Sequence, residues 1–196
     1  MADTSDEERN ETGEPGRTKT NVVGSGASAG GVRALQQLFA ALPEKTGAAF
    51  VVVVHLHPDL RSEMSNILAA RTQMPVLQVG EPVPLKADHV YVIPPDRRLH
   101  ISNDEIATAE FEEPRGKRAP MDLFFRSLAE QHGDGCAVIL TGAGSDGAVG
   151  VRAVKESGGI ILVQDPNEAE FPSMPRSAIA TGIADFILPI REIAQR

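Results

Sequence analysis

Three polar residues that could form a nucleophilic site each follow an apolar, strand-like run. Ser28 comes after the run at 21–23, His55 directly after 49–54, and Asp146 after 137–140. A serine hydroxyl is a weak nucleophile that needs a histidine to take its proton, and that histidine needs an acceptor on its other ring nitrogen. The set therefore predicts a serine hydrolase in which Ser28 attacks, His55 acts as base and Asp146 orients the imidazole.

The loops that carry the serine and the aspartate are rich in glycine. Residues 26–30 read Gly-Ala-Ser-Ala-Gly and match the G-x-S-x-G elbow, in which small neighbours allow a tight strand-to-helix turn that exposes the hydroxyl. Glycine-rich turns at helix starts also aim backbone N–H groups at one point. We expect the N–H groups around Ala29 and Ala143 to stabilise an oxyanion.

Other interpretations of these residues compete with the triad. Gly24-x-Gly26-x-x-Ala29 also fits a dinucleotide fingerprint, but that fold wants an acidic residue at the end of the second strand, where this chain has His55. His55 and His57 form an H-x-H pair that could bind a metal, yet no carboxylate or cysteine cluster accompanies them. We therefore predict neither a metal nor a cofactor.

Two further residues have a structural alternative. Asp146 taken alone fits a cap of the helix that follows it better than a catalytic role. Cys136 lies in an apolar run, which predicts a buried structural thiol and not a nucleophile.

The elements that must position these residues alternate between short β-branched runs and helical periodicity. Apolar strands that alternate with helices indicate an α/β fold with a doubly wound, mainly parallel sheet and helices on both faces. A polar pair at 103–104 between strand-like runs at 99–101 and 106–111 predicts a small antiparallel hairpin, added to the parallel sheet. The predicted strands lie at 21–23, 49–54, 76–79, 90–93, 137–140, 160–163 and 186–188.

Composition limits the organisation and the partners. Residues 1–20 are acidic and almost free of large apolar side chains, which predicts a disordered tail ahead of one domain at 21–196. A net charge of -8 argues against a nucleic-acid surface. The N-terminus lacks the apolar segment of a signal peptide and no run is long enough to span a bilayer, so we expect a cytoplasmic protein without membrane insertion.

From about residue 21 onward the chain resembles the catalytic domain of CheB, the bacterial chemotaxis protein-glutamate methylesterase, and looks closest to the version in CheB/CheR fusion proteins. The resemblance implies hydrolysis of glutamate γ-methyl esters on chemoreceptor helices, with release of methanol, and often deamidation of receptor glutamines. It assigns the catalytic roles to Ser28, His55 and Asp146. The matching segments are 26–31, 55–59, 90–95, 139–147 and 174–179.

The same resemblance extends to substrate and partners. It suggests Met174 and Arg176 as substrate-binding residues, a methyl-accepting chemoreceptor as partner, and a CheR-type methyltransferase or a separate regulator as a further one. The family usually has Gln where this chain has Val54, and some members have Thr at the position of Ala29. Residues 171–174 also depart from the usual loop sequence, close to Arg176.

The sequence leaves open how the protein is regulated and allows two other functions. The family enzyme normally carries a phosphorylatable receiver domain ahead of the catalytic domain, and only about 20 residues precede the predicted domain here. A non-catalytic relative that binds receptors or signalling proteins is one alternative. An esterase of small esters is the other, although the α/β-hydrolase order places its histidine last, and no histidine follows His132 in this chain.

Overall fold

The computed structural model describes residues 19–55 and 63–196, and these residues build a seven-stranded parallel sheet. The strand order is β10-β9-β8-β1-β2-β5-β3, and every neighbouring pair is parallel. The strands are β1 Asn21–Ala27, β2 Ala48–Val54, β3 Val76–Gln78, β5 His89–Val92, β8 Cys136–Ile139, β9 Ile160–Gln164 and β10 Phe186–Leu188.

Helices cover both faces of this sheet because its central strands are apolar on both sides. Along β2, alternate residues enter two separate cores, with Ala49, Val51 and Val53 in one and the residues between them in the other. The first core contains α3 Pro120–Gln131, α4 Gly150–Glu156 and α5 Ser173–Ile179. The second contains α1 Gly31–Ala41, α2 Met64–Ala69 and α6 Ile190–Ile193.

The structure confirms the predicted fold class and a strand at each of the seven predicted places. The first strand is longer than predicted, because it continues through Gly24 and Gly26 to Ala27. A Cβ on Gly24 would lie 2.6 Å from Cε1 of Phe124, and one on Gly26 would lie 2.8 Å from the sulfur of Met121. These glycines make room for α3 against the strand. Close helix packing therefore explains the two glycines that also fit a dinucleotide fingerprint.

The predicted antiparallel hairpin forms, and it belongs to a small sheet of its own. Strands β6 Arg98–Ser102 and β7 Glu105–Ala109 pair across a turn in which Asn103 and Asp104 both have positive φ, as a two-residue hairpin turn requires. Together with β4 Val83–Pro84 they form a separate three-stranded antiparallel sheet. This sheet packs against α3 and not along the edge of the parallel sheet, because its apolar side chains Leu99, Ile101 and Ile106 join the core under that helix.

The predicted N-terminal tail is not tested by the structure, whereas the prediction on membrane spans can be compared with it. The first strand begins at Asn21, but residues 1–18 lie outside the described residues, so the tail and the boundary at residue 20 stay predictions. Across the two described segments, no helix combines the length and the apolar character needed to cross a membrane.

Replacing Gly24 with alanine should destabilise the domain by about 1–3 kcal/mol, because the added methyl group overlaps the Phe124 ring. Urea unfolding followed by circular dichroism measures this change. The matched control is Gly80→Ala, where a Cβ meets nothing within 4 Å. Equal stabilities of the two variants would contradict the packing account of Gly24.

Cys136 should be nearly inert towards alkylation in the folded protein. The residue is half-buried and not fully buried as predicted, but desolvation still raises the pKa of its thiol to about 12, so only ~10⁻⁴ of it is thiolate at pH 8. Iodoacetamide labelling at pH 8, followed by mass spectrometry, should be about a thousandfold slower than in urea, and should accelerate as the pH rises. Equal labelling rates in the folded and unfolded chain would show that the thiol is freely ionised.

Candidate active site

The three predicted catalytic residues follow three adjacent strands of the parallel sheet. In the order β8-β1-β2, the chain leaves β1 toward β2 on one side, and β8 lies on the other side. Ligand sites in open parallel sheets form outside the carboxyl ends of the strands at such a reversal. Asp146, Ser28 and His55 therefore follow neighbouring strand ends at the point where the fold favours a site.

Ser28 sits in a tight turn between β1 and α1. Its carbonyl accepts a hydrogen bond from the N–H of Gly31 at 2.8 Å, and Gly30 has a left-handed φ of 73°. A side chain at Gly30 would be strained and would also lie 3.1 Å from Oε2 of Glu170. A tight strand-to-helix turn thus forms at Ser28, and Ser28 is partly exposed.

Buried Thr141, the residue after Leu140, fixes this turn from the side of β8. Its carbonyl accepts the Ser28 N–H at 3.0 Å, and its own N–H donates to Oε1 of buried Gln164 at 2.8 Å. Its hydroxyl oxygen accepts the N–H of Phe171 at 2.8 Å and lies 3.2 Å from the carbonyl oxygen of Ala29. Thr141 thereby links the nucleophile turn to the loop before α5, with its buried polar groups satisfied.

The predicted histidine and aspartate are in direct contact. Nε2 of His55 lies 2.7 Å from Oδ2 of Asp146, although the two residues are 91 positions apart in sequence. The backbone N–H of His55 donates to the carbonyl of Ala27 at 3.3 Å, which places His55 beside the residue that precedes Ser28. When neutral His55 donates its Nε2 proton to Asp146, the lone pair lies on Nδ1, the nitrogen that a general base would use.

Asp146 also caps a helix, but not the one that follows it. Its Oδ2 accepts the N–H of Met121 at 3.1 Å and its Oδ1 accepts the N–H of Asp122 at 3.0 Å, both in the first turn of α3. The free N–H groups at a helix start and the helix dipole both favour a carboxylate there. The cap alternative was therefore right about the chemistry and wrong about the helix.

The start of α4, the helix that follows Asp146, is held instead by Asp122. Oδ1 of Asp122 accepts the N–H groups of Val149 at 3.1 Å and Gly150 at 2.6 Å. Burial raises the pKa of Asp122 above its ordinary value, and the charge of Asp146 acts in the same direction. Each carboxylate thus caps the helix that carries or follows the other.

The proposed oxyanion donors are compatible with this geometry. Within the described ranges, nothing accepts a hydrogen bond from the N–H of Ala29 or of Ala143. The two loops are close, because a Cβ on Gly142 would lie 2.9 Å from Cβ of Ser28. Their role as oxyanion donors stays a prediction, supported by free N–H groups on both sides of the serine.

The two residues suggested for substrate binding occupy different environments on α5. Met174 is 1% exposed and its sulfur packs against Gly142, so it supports the loop at Gly142 from behind. Arg176 is exposed, and its guanidinium has no hydrogen-bond or ion-pair partner in the part of the chain that the structure describes. Of the two, only Arg176 presents a side chain that a bound partner can reach.

Sequence reasoning missed Asp122, Thr141 and Gln164. A signal for Asp122 exists, since it stands two residues after Pro120, and proline favours the first turn of a helix. Thr141 and Gln164 carried no comparable signal, because their contacts join residues more than 20 positions apart. For the metal alternative, His57 lies outside the described residues, and no group of three or more His, Cys, Asp or Glu residues that could hold a metal occurs within the described ones.

Comparison with known proteins identifies the family. The family model "CheB methylesterase" matches residues 23–196. A protein from Leptospira interrogans is 36% identical over 172 residues, which is 87% of this chain and 89% of that protein. The protein-glutamate methylesterase/protein-glutamine glutaminase 2 of Anaeromyxobacter dehalogenans is 32% identical over 187 residues, and the chain spans only 55% of its length.

A solved structure gives the same result. The CheB methylesterase catalytic domain of Thermotoga maritima superposes with a TM-score of 0.82 at 29% identity, covering 89% of this chain and 95% of the other. The predicted fold, and the predicted class of carboxylic ester hydrolase acting in chemotaxis, are those of this family. The arrangement of Ser28, His55 and Asp146 at three adjacent strand ends is thus found in a chain that belongs to the CheB methylesterase family.

Proposed function

We propose that this chain hydrolyses γ-glutamyl methyl esters on chemoreceptor helices, and the side-chain amides of receptor glutamines, through Ser28, His55 and Asp146. The observation that carries the proposal is the 2.7 Å contact between His55 and Asp146 beside the serine turn. That contact fixes the imidazole tautomer that a serine nucleophile needs. Family membership supports the substrate class.

The reaction proceeds in two halves. The Ser28 hydroxyl attacks the ester carbonyl while Nδ1 of His55 takes its proton, and a tetrahedral oxyanion forms. The bond to the methoxy oxygen breaks, His55 returns the proton, and methanol leaves. Water then attacks the acyl-enzyme with His55 again as base, which releases the glutamate carboxylic acid and restores Ser28. With an amide substrate the first leaving group is ammonia.

Two sets of backbone donors stabilise charge during these steps. The N–H groups of Ala29 and Ala143 bind the oxyanion, whose charge develops only in the transition state. The N–H groups at the start of α3 orient the carboxylate of Asp146, which then stabilises the cationic form of His55. The chemistry requires neither a metal nor a cofactor.

The partners follow from the substrate. We infer a methyl-accepting chemoreceptor as the protein that carries the ester, with a CheR-type methyltransferase as the source of the methyl groups or a separate regulator as a further partner. Exposed Arg176, without a described partner, is the proposed contact to the receptor. The assignment to the version found in CheB/CheR fusion proteins stays a proposal, supported by the resemblance of the matching segments.

Replacing Ser28 with alanine should abolish methanol release from a methylated receptor fragment, with kcat falling by about 10⁶ because the nucleophile is lost. A fluorophosphonate probe should label the wild-type chain at Ser28 and leave the variant unlabelled. Methanol release is measured by coupled oxidation, and the labelled residue by peptide mapping.

The control for this experiment is Ser102→Ala, which removes an exposed hydroxyl on β6. It should retain wild-type activity and labelling. A folded Ser28→Ala protein with full activity would refute the triad. Hydrolysis of small esters without any receptor activity would leave a serine hydrolase but remove the chemotaxis function.

Two replacements of Asp146 should separate its catalytic and capping roles. Asp146→Asn keeps an acceptor oxygen for α3 but favours the wrong imidazole tautomer, so kcat should fall by about 10⁴ with little loss of stability. Asp146→Ala should lose as much activity and also about 0.5–2 kcal/mol of unfolding free energy, because the N–H groups of α3 lose their cap. Methanol release and urea unfolding measure the two effects.

Ser145→Ala is the neighbouring control, since Ser145 is exposed and its side chain makes no described hydrogen bond. It should change neither quantity. If Asp146→Asn kept wild-type turnover, Asp146 would be a cap alone.

A further inference from the structure

A cavity of about 190 Å³ lies beside the candidate site, and His55 forms part of its wall. It extends from the carboxyl ends of β2 and β5 to the short 3₁₀ helix Arg115–Lys117. Ligand sites for whole small molecules usually occupy about 300–1,000 Å³. This cavity therefore has room for one side chain next to the reacting group, and not for a separate cofactor.

The charged lining of this cavity is mainly positive. Among the described residues that line it, Arg97, Arg115 and Arg118 are the cations and Asp96 is the one carboxylate. The chain as a whole carries a net charge of -8, which disfavours approach of an acidic partner in general. A positive wall beside the catalytic histidine is thus a local exception that favours an anion.

The arginines differ in what they already bind. Arg118 is held in place by three contacts. Its guanidinium pairs with Asp96, and its Nε donates to the carbonyl of Glu113 at 3.1 Å. Its Cζ lies 4.6 Å from the centre of the Phe111 ring. Stacking and pairing of this kind fix a guanidinium in one orientation. Arg118 therefore forms a fixed part of the cavity wall, and its positive charge is already paired with Asp96.

Arg97 and Arg115 remain accessible to a ligand. Arg97 pairs at 2.8 Å with Glu110, whose side chain is 84% exposed, and such surface pairs are weak. Arg115 is exposed, and no residue in the described segments pairs with its guanidinium. Of the described arginines in the lining, Arg115 is therefore the one whose guanidinium pairs with no described carboxylate and can bind an anion.

We propose that this cavity is a specificity subsite in which Arg115 binds the carboxylate of an unmodified acidic residue that neighbours the methyl ester on the substrate chain. The inference rests on the proposed function and adds to it the kind of sequence that is hydrolysed. His55 borders both the cavity and the serine turn, so one substrate chain can reach the two places at once. On a helix, residues three or four positions apart lie about 5–6 Å from each other, which suits two adjoining sites.

The experiment compares Arg115→Ala with Lys117→Ala in the full chain. Both residues are exposed cations in the same 3₁₀ helix, but only Arg115 lines the cavity. The substrates are a methylated receptor fragment, the same fragment with the acidic residues next to the ester replaced by alanine, and p-nitrophenyl acetate. Methanol or nitrophenol release gives kcat and KM, and circular dichroism checks folding.

Arg115→Ala should raise KM on the acidic fragment about fivefold and leave kcat unchanged, while Lys117→Ala changes KM less than about twofold. On the alanine-flanked fragment, Arg115→Ala should match the wild type. Hydrolysis of p-nitrophenyl acetate should be the same in all three proteins. Arg115→Lys should recover only part of the affinity, because a lysine cannot bind a carboxylate through two N–H groups.

Equal effects of the two alanine variants would overturn the subsite, since they would show a general loss of charge. An Arg115→Ala effect that persists on the alanine-flanked fragment would overturn it as well. If the wild-type chain hydrolyses p-nitrophenyl acetate but neither fragment, the proposed receptor function fails, and the subsite falls with it. Wild-type activity on both fragments with no effect of Arg115→Ala refutes the subsite alone.

Discussion

The site depends on the hydrogen bonds that the carboxylate of Asp146 makes. One oxygen lies 2.7 Å from the imidazole of His55, and both oxygens accept N–H groups at the start of α3. A carboxylate that accepts several hydrogen bonds is held in one orientation and cannot rotate away from its partner. The helix thus orients the aspartate, the aspartate orients the histidine, and the histidine is placed beside the turn that carries Ser28.

The position of α3 in turn depends on the absence of side chains beneath it. Gly24 and Gly26 let the helix approach β1, where any Cβ would overlap Phe124 or Met121. The small antiparallel sheet packs against the same helix, and the N–H of Ile101 donates to its Ser127 hydroxyl at 3.0 Å. The packing of α3 against β1 and against the small antiparallel sheet therefore determines where Asp146 meets its two N–H donors.

The sequence predicted the parts of this arrangement that have local signals. Apolar runs gave the strands, and polar residues after three of them gave Ser28, His55 and Asp146. What escaped prediction depends on contacts between distant segments. The glycines at 24 and 26 looked like a turn because their packing partner lies about 100 residues later, and the cap of Asp146 on α3 joins residues 25 positions apart. Hydrophobic periodicity is read within a short window of sequence and does not predict contacts between distant residues.

The mutual capping of α3 and α4 gives the site a built-in reporter. The amide protons of Met121 and Asp122 are bound to the carboxylate that orients His55, yet neither amide belongs to the nucleophile or to the histidine. Their exchange with solvent and their chemical shifts follow whether Asp146 is in place. The state of catalytic readiness can thus be observed at two backbone positions by nuclear magnetic resonance, without substrate and without altering any of the three side chains.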